Sequence, residues 1–93
     1  MNDNKYLLVN IINRELYSTT MFGSHEEAWC KMRENLSDIV IEEQIDDICT
    51  QEDFNAVSDE RYIWRNDFAC LKNEAWANTP CGNYDWWIIE IAI

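Results

Sequence analysis

Between Arg33 and Arg61 the chain has no Lys and no Arg. The whole of its 93 residues holds two Gly, one Pro and one His. Each scarcity excludes something. So few turn formers leave little room for long loops, and compact elements joined by short turns are expected. The lone His25 lacks the second histidine of a zincin motif, and no Cys or His pair has zinc-site spacing. Without a Gly-rich run there is no phosphate-cradling loop, and no cofactor is expected. Apolar runs stop at four residues, far short of the ~20 that a membrane-crossing helix needs. The start, Met1-Asn2-Asp3-Asn4-Lys5, lacks the apolar core of a secretory signal. The four cysteines, Cys30, Cys49, Cys70 and Cys81, form no close pair. A cytoplasmic protein with free, mostly buried thiols follows as the expectation.

What the chain does have is acid and aromatic rings. Eighteen acids against seven bases give a formal net charge of −11. Direct binding to nucleic acid or to an anionic membrane is excluded on charge. The length suits one domain, residues 1–93. Five Trp, four Tyr and three Phe suit a small core, because each large ring buries much area.

Lys5 to Phe22 reads as two strands rich in β-formers, with Asn13-Arg14-Glu15 as the turn and the first strand nearer the sheet centre. After Gly23, Ser24 with Glu27 makes a capping box, which opens a helix over about residues 25–36 with Ala28, Trp29, Met32 and Leu36 inward. Ser37 can cap a second helix over Asp38–Cys49 with Ile41, Ile45, Ile48 and Cys49 as its stripe. Thr50 with Asp53 opens a short third helix with Phe54 and Val57 inward. Beyond Arg61 the pattern returns to β. Tyr62-Ile63-Trp64 and Phe68 to Leu71 are strand pieces, and Ala75-Trp76-Ala77 fits a strand or a short helix. Asn78 to Asn83 is a turn. In the closing strand from Tyr84 to Ile93, Trp87, Ile89, Ile91 and Ile93 share one face, and Trp86, Ile88, Glu90 and Ala92 the other. Both faces are largely apolar, so this strand is expected to be central or covered on both sides. Trp29 and Trp87 are assigned to the core. Core and interface both stay open for Trp64, Trp76 and Trp86. The fold class is α+β, a small antiparallel sheet with two or three helices packed on one face.

Catalytic chemistry finds little support. His25 falls in the first helical turn beside Glu26 and Glu27 and should be solvated. Cys30 lies on a different face of that helix, so the two do not make a nucleophile and base. Acids are too many to single out a glycosidase pair, and no enzyme activity is expected.

The acids themselves are the feature. Glu34 to Glu60 holds ten carboxylates, interleaved with Ile39, Val40, Ile41, Ile45, Ile48, Phe54 and Val57. A disordered acidic tail would lack those apolar residues. Asp38 to Asp53 carries seven acids in sixteen residues. As a single helix that span is about 24 Å long, one charge per ~3.4 Å, close to the ~3.4 Å phosphate spacing along one DNA strand. Like-charge pairs such as Asp38/Glu42 cost about 0.2–0.5 kcal/mol each, yet no base relieves them. Asp38, Glu42, Glu43, Asp46, Asp47, Glu52 and Asp53 are therefore the candidate partner-binding residues. The plainer reading of the same residues is a solvated face on an acidic protein.

In size, charge and this base-free stretch the chain resembles the small acidic DNA-mimic proteins of phages and mobile elements, the anti-CRISPR and anti-restriction type. The ending Asn83-Tyr84-Asp85-Trp86-Trp87-Ile88-Ile89-Glu90-Ile91 likewise looks like the closing strand of small phage-type proteins. The resemblance implies a stoichiometric inhibitor that occupies the basic DNA groove of a CRISPR or restriction nuclease, such as Cas9. The group shares no single fold, so it assigns no residue by alignment. The alternative is a non-enzymatic interaction or regulatory module, homodimeric through an aromatic sheet face that includes Trp76 or Trp86.

Overall fold

A computed structural model of the chain describes residues 4–57 and 61–92. Asp59, Glu60 and Ile93 lie outside them. Strand β1, Lys5–Ile12, and strand β2, Glu15–Phe22, form an antiparallel hairpin. Its two-residue turn, Asn13-Arg14, has φ of 52° and 68°, the doubly left-handed turn whose twist matches paired strands and which favours Asn first. After helical and turn segments come β3, Ile63–Trp64, β4, Phe68–Cys70, β5, Glu74–Thr79, and β6, Gly82–Ile91. Ala75-Trp76-Ala77 is thus strand. The six strands form one antiparallel sheet in the order β2-β1-β6-β5-β4-β3. As expected, β1 lies inside the sheet, against β6.

Helix α1, His25–Glu42, starts where Ser24 Oγ accepts from the Glu27 amide at 3.2 Å. It does not stop at residue 36, and no second helix spans Asp38–Cys49. Ser37 is buried mid-helix and donates its hydroxyl to the Glu34 carbonyl at 2.8 Å. That bond satisfies the hydroxyl inside the helix and removes the reason to break there. Continuing the helix brings Val40 onto the buried stripe of Ala28, Trp29, Met32 and Leu36. The stop comes at Gln44, left-handed at φ 53°, whose N–H donates to the Ile41 carbonyl. This is the helix-ending position Gly usually fills. A 3₁₀ turn, Ile45–Asp47, follows, with Asp46 and Asp47 also left-handed. Helix α2, Gln51–Ala56, is capped by Thr50, whose Oγ1 accepts from the Asp53 amide at 3.1 Å.

The sheet order decides where the helices go. They connect β2 to β3, which are opposite edges of the sheet. The chain must therefore cross the whole sheet, and α1 does so on one face, touching β1, β2, β4, β5 and β6. Between the layers lie Leu8, Trp29, Met32, Leu36, Val40, Phe54, Phe68, Trp86 and Ile88. Only two layers exist among the described residues, in keeping with extents of 46 × 30 × 17 Å.

Strand alternation sends Trp86 under the helix, where it is 1% exposed, and Trp87 to the other side, where it is 47% exposed. The assignment of Trp87 to the core is thus overturned: β6 is central, but a single helix layer covers only one of its faces. The thiols are free as expected but not mostly buried, since Cys30, Cys49 and Cys81 are exposed and only Cys70 is enclosed. Burial pushes the Cys70 thiol up to about 11.

Two clips hold the periphery. Asn13 Oδ1 accepts from the Asn83 amide at 2.9 Å, which ties the first hairpin to the start of β6. Gly82 is required beneath it, because a Cβ there would sit 2.7 Å from Asn13 Oδ1. On the helix side, Arg61 grips both carboxylate oxygens of Glu26 while its guanidinium lies 3.9 Å from the Trp29 ring centroid. The hydrogen bonds from Arg61 hold the Glu26 carboxyl below its usual range.

Candidate functional site

The seven candidate acids are placed by three pieces of backbone. Asp38 and Glu42 project from the last turns of α1, and Glu43 caps its end. Asp46 and Asp47 occupy the left-handed 3₁₀ turn, a conformation that short polar side chains tolerate best. Glu52 and Asp53 stand in the first turn of α2, where negative charge suits the helix dipole. All but the half-buried Glu43 are exposed. The structure brings them to one end of the helix layer, as a bent rim and not as one straight helix. The charge spacing expected for a single 24 Å helix does not hold, because the chain turns at Gln44.

Several of the seven already have local partners. Asp53 Oδ2 accepts from the Cys49 amide at 3.1 Å, so this side chain also fixes the entry to α2. Asp46 Oδ2 lies 3.3 Å from Arg65 Nε. The Glu43 carboxylate, through its interaction with the Cys81 side chain, pushes that thiol above its usual range. Asp38, Glu42, Asp47 and Glu52 face solvent. The stretch that lacks bases in sequence therefore has them in space. Arg65 reaches Asp46, and the Arg33 guanidinium lies 5.0 Å from the Phe54 ring centroid of α2.

Folding also adds an acid that sequence order hides. Between the end of α1 and the β5–β6 hairpin lies a groove of about 430 Å³. It is lined by Glu43, Asp46 and Asp67, together with Gln44, Ile45, Asn78, Thr79 and Pro80. Asp67 comes from the β3–β4 turn, whose backbone carbonyl accepts from the Asn78 amide at 2.8 Å. No Lys or Arg lines this groove. Such a pocket fits a guanidinium or ammonium, which offers donors to several oxygens at once. Nothing in the sequence near Asp67 signalled its part, since it joins the others only through strand pairing.

The other end of the molecule holds a second cleft, of about 410 Å³. His25 Nε2 lies 2.9 Å from both the Lys72 carbonyl oxygen and Asn73 Oδ1. Expected to be solvated, His25 is instead tied to the β4–β5 loop, with Tyr6 edge-on at 5.8 Å. The Tyr6 hydroxyl donates to Glu90 at 3.3 Å, and burial, then the Glu90 charge, raises its pKa. These contacts read as a clasp between α1, β1 and β6.

No protein-family model, curated protein or solved structure matches the chain. Among the described residues no helix is long and apolar enough to cross a membrane.

Proposed function

We propose that this protein binds and inhibits a basic, nucleic-acid-binding protein, a phage-defence nuclease of the CRISPR or restriction type, by offering carboxylates where that protein expects DNA phosphates. It acts in the cytoplasm and catalyses nothing. The observation that carries the reading is the groove lined by Glu43, Asp46 and Asp67, of which Asp46 already pairs with Arg65, set against the exposed acids of α1 and α2. Asp38, Glu42 and Asp47 steer the approach of a positive surface. An arginine of the partner enters the groove and pairs with its oxygens. The bent rim suits a concave basic channel better than a flat one, because carboxylates point outward from both sides of the turn.

The test compares wild type with a variant in which Asp38, Glu42, Glu43, Asp46, Asp47, Glu52 and Asp53 become Asn or Gln. Both are used to capture proteins from nuclease-treated bacterial lysate at low and physiological salt. Wild type alone should retain a DNA-binding protein, and salt should weaken the capture. With the captured protein purified, neutralisation should lower affinity on the order of a hundredfold or more, and target DNA should compete. Full-affinity binding by the neutralised variant would overturn the proposal. Because Asp53 and Glu43 also hold local structure, circular dichroism of the variant accompanies the assay.

A further inference from the structure

The sheet face turned away from the helices is bare. Register places Met21, Leu7 and Ile89 side by side on it, then Thr19, Val9 and Trp87, then Leu16 and Ile11 beside Asp85, Trp76, Ala69 and Trp64. Trp64 is 73% exposed, Met21 51% and Ile89 44%. No described element crosses this face. Six strands ~4.8 Å apart, averaging about six residues of ~3.3 Å, span roughly 24 by 20 Å, so the projected face is on the order of 500 Å². Side-chain relief enlarges that, toward the ~800 Å² each partner contributes to a stable interface. Its exposed apolar side chains, Leu16, Met21, Trp64, Trp87 and Ile89, make it a face of the kind that marks an interaction site.

We propose that a second copy of this chain covers that face, sheet against sheet. Charge decides how two copies can pair. The acids of α1, the 3₁₀ turn and α2 all belong to the helix layer, while the strand residues of the bare face include only Lys5, Glu74 and Asp85 as charged groups. Two copies packed through their sheets keep their acidic layers on opposite outsides. Both sheets then lie between them, well beyond the ~8 Å Debye length at physiological salt. Pairing through the helix layers would instead bring the acids together. The strand pattern also complements itself. A two-fold axis lying in the interface and running across the strands reverses the strand ends and keeps their order. The row of Leu7 and Ile89 then meets the row of Val9 and Trp87 of the other copy. The end bearing Lys5 meets the end bearing Asp85, an opposite-charge pair at the rim. Trp87 is the aromatic residue of the two central rows, while Trp76 and Trp64 lie at the end of the face, in the row of Asp85. Trp86 has no part in this face, being buried under α1.

This inference does not rest on the inhibitor reading, and sedimentation equilibrium separates the two. Wild type should sediment as a dimer at micromolar concentration. Trp87→Arg should raise the dissociation constant at least thirtyfold, the scale of a central aromatic anchor, with the circular dichroism spectrum kept. Ile89→Lys, from an equally exposed position, is the second variant should Trp87→Arg fold poorly. Lys5→Asp and Asp85→Lys should each weaken the dimer and together restore it. The seven-fold neutralised variant should dimerise as wild type does. A wild type that stays monomeric up to about 100 μM, or a Trp87→Arg variant that dimerises unchanged, would overturn the proposal. Loss of the dimer on neutralising the acids would also overturn it, by moving the interface to the helix layer. Failure of the charge swap to restore would overturn the two-fold arrangement.

Discussion

Glu43 shows how one carboxylate can serve two ends. It belongs to the acidic rim, yet it also raises the Cys81 thiol of the neighbouring hairpin above its usual range. A carboxylate beside a thiol disfavours the thiolate, through the hydrogen bond first and charge second, and the thiolate is the nucleophile. Cys81 should therefore alkylate slowly for an exposed cysteine. Glu43→Gln should lower its pKa and shift its pH–rate curve with iodoacetamide to lower pH. Cys70, at about 11 and buried, should resist the reagent in both proteins. Peptide mass mapping across pH 7 to 10 reads all of this, and an unmoved Cys81 curve would mean that Glu43 points elsewhere in solution. None of this was legible in the sequence, where positions 43 and 81 are far apart. What the sequence did show at this scale was local chemistry. Ser24 and Thr50 cap helices through bonds three residues long, which need no tertiary partner.

At the scale of elements, the instructive difference is the length of α1. Serine favours helix starts because its oxygen can accept an exposed amide. The same hydroxyl can instead donate back to a carbonyl one turn earlier, as Ser37 does. Which role wins depends on whether the next residues gain more by continuing, and Val40 gains full burial. The true end, Gln44, carried no Gly to announce it, so the apolar spacing of Ile41, Ile45 and Ile48 suggested continuation. A left-handed non-Gly residue costs free energy that Gly does not. Gln44→Gly should accordingly raise stability by about 0.5–1 kcal/mol, read as a higher urea midpoint with an unchanged slope. A lower midpoint would show that the Gln44 side chain contributes more than its backbone costs.

The whole molecule is two-sided, with acid on the helix layer and apolar residues on the outer sheet face. A net charge of −11 confined largely to one layer repels itself, and the compact state bears that cost more than the unfolded chain. Raising salt from about 0.01 to 0.15 M shortens the Debye length from ~30 to ~8 Å. Melting temperature should rise by several degrees, since about 1 kcal/mol corresponds to 4–8 °C at this size. A flat or falling melting curve with salt would mean that attractive pairs such as Arg61–Glu26 and Arg65–Asp46 outweigh the repulsion.

The sequence by itself determined the α+β class, the N-terminal hairpin and the closing strand, the starts of α1 and α2, and the surplus of acid. All of these follow from short-range signals: strand alternation, turn residues, caps and composition. Only tertiary structure decided that the helices cross the sheet on a single face, because that depends on β2 and β3 being opposite edges. From this one fact come the exposure of Trp87, the bare sheet face and the segregation of charge. It likewise placed Asp67 beside Glu43 and Asp46 and brought Arg65 to an acidic stretch that has no base of its own. Contacts between residues distant in sequence leave no mark on local pattern, since the energy that selects them is the burial of the shared core.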